Sequence, residues 1–223
     1  RTNLEEFSLP NLPKLTNIEI ATSELPGLND TFKNIKQLQS LSLKGNNFEI
    51  ADNSLDGLDR LESLSIYKQN ISLNERLLRD LKKLRSLNIY EGSVEEIGSG
   101  VFKHTPDLIS LAIHDNHLTT IKRGALDPLE KLETFEVTSS KLKTFEASLT
   151  NELQNLRLLS IPASTLDQFN LVKLLYNCPY FHIFRFYVKD QEDCSKIKKI
   201  REEISRLRVN IAIYIDSSDH MSC

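Results

Sequence analysis

The chain is poor in the residues and motifs on which most enzymes rely. Only seven of its 223 residues are glycine, and glycine-poor chains have few of the permissive loops from which catalytic sites are built. Three motifs are absent: the Gly-Xaa-Ser-Xaa-Gly turn of a nucleophilic serine, a glycine-rich phosphate-binding loop and a zinc-binding helix motif. We therefore predict that the protein is not an enzyme and that it holds no cofactor and no metal.

Long apolar runs and blocks of like charge are absent too. No run approaches the roughly 20 apolar residues that cross a bilayer, so we expect no membrane span in this chain. The net charge of −3 is spread without a single-sign block, which argues against a nucleic-acid partner. The patterned sequence begins directly after Arg1, without a secretion signal. We therefore expect a mature chain or a part of a longer protein.

What the chain does contain is one template repeated at a nearly constant period. The template has a leucine or similar residue, two variable residues, an apolar residue, one variable residue and another apolar residue, as in Leu38–Leu43 and Leu108–Ile113. Its middle apolar position recurs at spacings of 23 to 25 residues, at Ile18, Leu41, Leu64, Leu87, Leu111, Phe135, Leu159 and Phe184. A unit this short cannot bury its own apolar side chains, so neighbouring units must stack around one continuous core.

The template resembles the leucine-rich repeat family over essentially the whole chain, and most closely its extracellular type of about 24 residues. The stretch from Ile97 to Phe102, followed by Leu108 to Leu111, carries the resemblance most clearly. Toll-type receptors and secreted immune or adhesion proteins have repeats of this type. The resemblance implies an α/β solenoid, an arc with about eight parallel strands on its concave face and irregular or helical segments on its convex face.

The resemblance also implies a ladder of asparagine side chains in the turns after the strands. In the family, these side chains satisfy backbone groups of adjacent repeats. Only Asn46 and Asn116 are asparagine at that position in this chain. We therefore expect a patchy ladder.

The two ends of the chain depart from the repeat. We predict leucine-rich repeats over residues 1–188, with the N-terminal cap missing, and a C-terminal cap over residues 189–223. Leu4 and Phe7 match the positions that follow a strand, so the strand of an earlier repeat is expected to be absent. Exposed core at that end requires a cover, such as a missing N-terminal region, a second chain or a dimer contact.

The C-terminal segment predicts a strand–helix–strand cap. A strand over residues 181–188 is followed by a helix over 190–208 and a strand over 209–215. The apolar face of the helix consists of Ile197, Ile200, Ile204 and Leu207. In the last strand, Ile211 and Ile213 match the inward pair of a ninth repeat.

All three cysteines, Cys178, Cys194 and Cys223, lie in the last 46 residues. Two disulfides remain open as alternatives, Cys178–Cys194 and Cys194–Cys223, and a further alternative leaves Cys178 as a buried free thiol. Because the count is odd, one cysteine is left over, and Cys223 could bridge to another chain in a dimer or with a partner.

Two tripeptides match the N-glycosylation pattern, at Asn29 and at Asn70. Asn70 lies between the inward positions Gln69 and Ile71, so its side chain should point outward on the flank. Together with the repeat type, these sites favour an extracellular location, as a secreted protein or a receptor ectodomain. An intracellular protein with reduced cysteines and unused glycosylation sites is the alternative.

The residues that flank the two inward positions of each strand predict the composition of the concave face. Most are small, but one column has larger side chains: Ala21, Lys44, Tyr67, Tyr90, His114, Thr138, Pro162, Tyr187 and, if the cap strand continues it, Tyr214. Since adjacent strands lie about 4.8 Å apart, Tyr67, Tyr90 and His114 should form one stripe with Lys44 at its end. The next column places Lys68, Glu91 and Asp115 beside it.

These seven residues, Lys44, Tyr67, Lys68, Tyr90, Glu91, His114 and Asp115, are the candidate ligand-binding site. Large amphipathic rings above small residues are typical of protein-binding hot spots. The alternative is that the tyrosines only stack on each other to stabilise the sheet. Leu158, Ile183 and Pro162 form a second, apolar patch on the same face.

We therefore predict an extracellular recognition module of immunity, adhesion or signalling, which binds a protein or glycan ligand through its concave sheet. The alternative is an intracellular leucine-rich-repeat adaptor or substrate-recognition subunit. An inhibitor that clasps an enzyme would use the same face. His114 and His117 resemble a metal motif, but the turn between them should keep the two rings apart, so a structural or partner-contact role is favoured.

Overall fold

The structure, a computed structural model, describes residues 9–22, 27–28, 30–45, 49–138, 141–145, 153–168 and 170–217. Within these ranges nine parallel strands form one sheet in chain order. They are β1 (Asn17–Thr22), β2 (Ser40–Gly45), β3 (Ser63–Tyr67), β4 (Ser86–Tyr90), β5 (Ser110–His114), β6 (Thr134–Val137), β7 (Leu158–Pro162), β8 (Ile183–Val188) and β9 (Ala212–Ser217). The solenoid predicted from the period is confirmed.

The strands pair in the register that the repeat predicts. Leu41 lies opposite Leu64 and Leu43 opposite Ile66, and the inward pairs of later repeats continue the two rows. The inward side chains of β2 to β8 are buried, because each row packs against the apolar side chains of the turns behind the sheet. Each fully buried Leu, Ile or Phe contributes about 1.5–3 kcal/mol. We call a strand together with its following turn a rung.

Short strands line the other side of the core. Glu96–Ile97, Thr120–Ile121 and Thr144–Phe145 form a three-stranded ladder, and Glu49–Ile50 pairs with Asn70–Ile71. Between β7 and β8 this side becomes helical, with a 3₁₀ helix over Ala163–Gln168 and α1 over Leu171–Asn177. The sequence predicts irregular or helical segments here without fixing their positions.

The turns after the strands show the expected patchy ladder. The Asn116 side chain donates to the carbonyls of His114 (2.7 Å) and Ile89 (3.1 Å), and it accepts from the Val94 amide (3.1 Å). Gln69, at the same position two rungs earlier, donates to the Tyr67 carbonyl at 3.1 Å. Its buried Oε1 has no hydrogen-bond partner within the described residues. Asn46 lies outside them.

The predicted strand–helix–strand at the C-terminal end is confirmed. Helix α2 covers Gln191–Leu207, with Asp190 as N-cap and Arg208 in a left-handed conformation (φ 54°) at its end. The inner face of the helix is formed by Ile197, Ile200 and Ile204, which are buried. Leu207, predicted for the same face, is 38% exposed because the helix ends there. The Lys196 ammonium joins the helix to Asp167 at 3.0 Å.

The predicted register of the last strand is wrong by two residues. Ile213 and Ile215 lie opposite Phe184 and Phe186, whereas Ile211 precedes β9. Tyr214 therefore lies opposite Arg185, in the position between the two inward residues of the strand. Asp216, which follows the second inward residue, takes the place that was predicted for Tyr214. A shift of two residues keeps every side chain on the same face, so the alternation of apolar residues cannot fix it.

No helix within the described ranges has the length and apolar composition needed to cross a membrane. The predictions that concern Leu4 and Phe7 fall outside these ranges.

Candidate functional site: the concave sheet

Tyr67, Tyr90 and His114 form one continuous stack on the concave face. They end β3, β4 and β5 and lie opposite each other in the sheet register. The ring centroids of Tyr67 and Tyr90 are 4.8 Å apart with an interplanar angle of 8°, and those of Tyr90 and His114 are 5.0 Å apart at 17°. The spacing of the strands sets the spacing of the rings. We call these three residues the aromatic stack.

Each end of the aromatic stack has a polar neighbour. The Lys44 ammonium lies 5.8 Å from the centroid of the Tyr67 ring and 2.9 Å from the Glu19 carboxylate. At the other end, Nδ1 of His114 lies 3.0 Å from the Thr138 hydroxyl. The rings are therefore held in place before any ligand arrives, and their edges and the two tyrosine hydroxyl groups remain for contact.

The aromatic stack is uncharged near neutral pH. Burial holds the pKa of His114 below its usual range, although the carboxylates of Glu136 and Asp115 act in the opposite direction. Burial also raises the pKa of Tyr90. The ionised groups of this surface are therefore the acidic and basic side chains around the stack.

Lys68, Glu91 and Asp115 follow the three rings and share a left-handed backbone conformation, with φ of 55°, 50° and 50°. Such a conformation costs a non-glycine residue about 1–3 kcal/mol. Backbone hydrogen bonds offset the cost, since the amides of Lys68 and Glu91 donate to the carbonyls of Tyr90 and His114. The geometry places the three side chains on the rim of the concave face, where Lys68 pairs with Glu91 at 3.2 Å.

A low floor of small residues lies beside the aromatic stack. Ser40, Ser63, Ser86 and Ser110 stand opposite each other at the start of their strands. Asn88, which lies between the two inward residues of β4, donates to the hydroxyl groups of Ser86 and Ser65 at 3.2 and 3.4 Å. The larger rings therefore form one wall of a shallow trough.

A second group on this face could not be foreseen from the sequence. Arg185 of β8 reaches across Ser160, which is 1% exposed, and contacts the Glu136 carboxylate of β6 at 3.2 Å. Its Nε lies 3.8 Å from Asp216, and its guanidinium lies 5.9 Å from the Tyr214 ring centroid. We call these residues the Arg185 group.

The apolar residues expected beside this end of the face lie in register with it. Leu158 is opposite Ile183, and Pro162 is opposite Tyr187.

The Asn70 side chain points outward, as predicted. Asn70 is exposed between the buried side chains of Gln69 and Ile71. Its Oδ1 accepts a hydrogen bond from the Ser93 hydroxyl at 2.7 Å. Asn29 lies outside the described residues.

Cys178 is a buried free thiol, so the alternative disulfide Cys178–Cys194 is wrong. Its sulfur donates to the Leu153 carbonyl at 3.1 Å, and burial raises the pKa of the thiol to about 11. Cys194 is disulfide-bonded. Cys223 lies outside the described residues.

His114 and His117 are separated by the buried side chain of Asn116. His114 stacks on Tyr90, whereas His117 is exposed beyond the turn. Within the described residues no group of three or more His, Cys, Asp or Glu side chains is arranged to hold a metal ion.

A family model for BspA-type leucine-rich repeat regions matches the chain in six copies, over residues 1–77 and 49–180. The chain belongs to the BspA-type leucine-rich repeat family. The predicted resemblance to leucine-rich repeats is confirmed, and the subfamily is the BspA type. Leucine-rich repeat proteins are in general non-enzymatic scaffolds for protein interactions.

Two solved structures show the same fold as this leucine-rich repeat protein. A chain in the structure of the Toll–Spatzle complex, from Drosophila, has a TM-score of 0.63 at 15% identity, over 78% of this chain and 24% of that one. A chain in the structure of PEPR1 with AtPEP1 has a TM-score of 0.59 at 15% identity, over 92% and 28%. The protein thus spans about a quarter of those chains. No curated protein matches its sequence.

Proposed function

We propose that this leucine-rich repeat protein is a recognition module that binds a protein ligand through its concave sheet, with the aromatic stack at the centre of the contact. The observation that carries the proposal is the stack of Tyr67, Tyr90 and His114, partly exposed beside a floor of serines. Tyrosine is enriched at binding hot spots because it supplies a large contact area together with a hydrogen-bonding group.

The fixed geometry of the rings supports the proposal. Association loses about 0.5–1.5 kcal/mol for each flexible side chain that it immobilises. Tyr67 and Tyr90 are already held by each other, by Lys44 and by His114. A ligand that docks on them avoids much of this loss.

Alanine substitution of both tyrosines tests the proposal. A partner captured by the immobilised protein from its native source is measured against the Tyr67→Ala/Tyr90→Ala variant. We expect the binding free energy to weaken by about 2 kcal/mol or more. Tyr176→Ala is the matched control, because Tyr176 is 86% exposed on α1, outside the sheet. Unchanged affinity in a folded double variant would redirect the search to the flanks or to α2.

We further propose that the module is extracellular, as a secreted protein or a receptor ectodomain in immunity, adhesion or signalling. The exposed Asn70 site and the disulfide at Cys194 support this location, since disulfides persist in oxidising compartments. Cys223 is the partner that we assign to Cys194, either within the chain or in a dimer.

The mass of the protein from its native source tests the location. Masses under reducing and non-reducing conditions, with thiol labelling and glycosidase treatment, should show a glycan lost in Asn70→Gln and one free thiol. A doubled mass without reductant would identify an interchain bond. Three free thiols and no glycan would contradict the proposal and favour an intracellular adaptor or substrate-recognition subunit.

A further inference from the structure

We infer that the segment of the partner that docks on the concave sheet is basic, with lysine or arginine side chains placed at the His114 end of the aromatic stack. The inference rests on the proposed function, and it assigns the chemistry of the ligand. It follows from the balance of charge on the concave face and its rim, and from the way in which the cations of that face are already paired.

Acidic side chains outnumber basic ones on this surface. Each of the nine strands has three outward positions, which lie before, between and after its two inward residues. Together with the rim residues beside the aromatic stack, these positions share one solvent-facing surface. The acidic members are Glu19, Glu91, Asp115, Glu136 and Asp216. The basic members are Lys44, Lys68 and Arg185. His114 does not offset the excess, because burial disfavours its charged form.

Every cation of this face already has an acidic partner. Lys44 lies 2.9 Å from Glu19, and Lys68 lies 3.2 Å from Glu91. Arg185 is shared between two carboxylates, those of Glu136 at 3.2 Å and Asp216 at 3.8 Å. An anionic ligand would have to displace these acids and would meet the remaining carboxylates at close range, which is unfavourable.

The unbalanced negative charge lies near His114. Asp115 is exposed on the rim, and within the described residues its carboxylate has no ion-pair or hydrogen-bond partner. Glu136 is on the adjacent strand, and its negative charge acts on both His114 and Tyr90. Arg185 carries a single positive charge, so it neutralises only one of the two carboxylates that it contacts, those of Glu136 and Asp216.

The tyrosine rings of the aromatic stack cannot supply the complementary contact through their faces. Tyr67 and Tyr90 cover each other, Lys44 lies over the outer face of Tyr67, and His114 lies over the outer face of Tyr90. A cation on the ligand is therefore bound by carboxylates rather than by a tyrosine ring face, while neighbouring residues of the same segment contact ring edges and tyrosine hydroxyl groups. Long-range attraction between the acidic face and a basic segment would also speed association.

Selection of random displayed peptides tests the inference without knowledge of the natural ligand. Peptides are selected on the wild-type protein and counter-selected on Tyr67→Ala/Tyr90→Ala, so that only ligands of the aromatic stack remain. We expect the survivors to be rich in lysine and arginine. Synthetic copies should bind about tenfold or more weakly to Asp115→Lys, and more weakly as salt rises from about 0.05 to 0.5 M.

Asp59→Lys is the matched control. Asp59 is exposed in the turn before β3, outside the sheet, and the two variants change the net charge of the protein equally. Lysine is tolerated at position 115, because Lys68 has the same left-handed conformation two rungs earlier. Binding should survive in Asp59→Lys.

The outcomes separate the two proposals. Neutral or acidic survivors, or equal losses in Asp115→Lys and Asp59→Lys, would overturn the basic ligand and leave the binding role of the stack intact. If no selected peptide depends on Tyr67 and Tyr90, although the selection yields binders, the proposed function itself fails.

Discussion

The turn after β4 has room for a hydrogen atom and for no larger side chain. A methyl group on Gly92 would lie 2.8 Å from Oδ1 of Asn116 and 3.2 Å from a methyl group of Ile89. The same Asn116 oxygen accepts the hydrogen bond from the Val94 amide. Gly92 is therefore required because the asparagine of the next rung fills the space beside it.

A double-mutant cycle measures this coupling. Asn116→Ala should lower the free energy of unfolding by about 2–3 kcal/mol, because three buried backbone partners lose their hydrogen bonds. Gly92→Ala should cost about 1–3 kcal/mol through overpacking. In the double variant the clash with the Asn116 oxygen is absent, so the loss should be smaller than the sum of the single losses by about 0.5 kcal/mol or more. Urea unfolding gives the values, and strict additivity would contradict the packing argument.

The columns of the concave face were predictable at the residue level, but the pair of Arg185 and Glu136 was not. Periodicity placed each residue between the two inward residues of its strand, two rungs apart, with Ser160 on the strand between them. Their contact depends on the reach of a long side chain over a small buried one, which sequence spacing does not encode. The aromatic stack was predictable because its three members lie on adjacent rungs.

Helix α2 begins with two aspartates that bond to the backbone around the first turn. Oδ1 of Asp190 accepts from the Asp193 amide at 3.0 Å, and Oδ2 of Asp193 accepts from the Lys189 amide at 2.9 Å. Each carboxylate accepts a hydrogen bond from a backbone amide that has no carbonyl partner within the helix. Asp193 is buried by this arrangement.

Removal of either capping side chain should weaken the C-terminal end of the solenoid. We expect Asp190→Ala and Asp193→Ala each to lower the free energy of unfolding by about 1 kcal/mol. Asp190→Asn should retain most of the stability, because asparagine is also a good N-cap residue. Glu202→Ala, on the exposed side of the same helix, is the control. Amide hydrogen exchange along α2 should accelerate in the alanine variants, and unchanged exchange would show that the cap is not required.

The elements of the fold differ in how far the sequence determines them. The strands β1 to β8 follow from the spacing of the inward pairs, and α2 follows from its apolar face. β9 was misplaced by two residues because Ile211, Ile213 and Ile215 alternate in the same way, so its register is fixed by packing against Phe184 and Phe186. The position of α1 follows from no repeated pattern.

The stability of the whole molecule should come from its core rather than from the ion pairs between rungs. Leu111 is fully buried in the middle of the solenoid, whereas Lys131 and Asp107 pair at the surface with 63% and 41% of their side chains exposed. Burial of one leucine outweighs an exposed pair, because water and salt screen the latter.

We therefore expect a large difference between two single substitutions. Leu111→Ala should lower the free energy of unfolding by about 2–5 kcal/mol, whereas Lys131→Gln should change it by less than about 1 kcal/mol. Urea unfolding at low and high salt measures both. A loss in Lys131→Gln similar to that in Leu111→Ala would mean that the surface ladder, not the core, holds the rungs together.

The positions of the tyrosines have an optical consequence. The chain has six tyrosines and no tryptophan, so no indole absorbs the energy of excited phenol rings or masks their emission. Tyr67, Tyr90, Tyr187 and Tyr214 stand on the concave sheet, and two of them are stacked. The intrinsic fluorescence of the protein is therefore weighted towards the proposed binding face, and a ligand without tryptophan or tyrosine can be titrated against it without any attached dye.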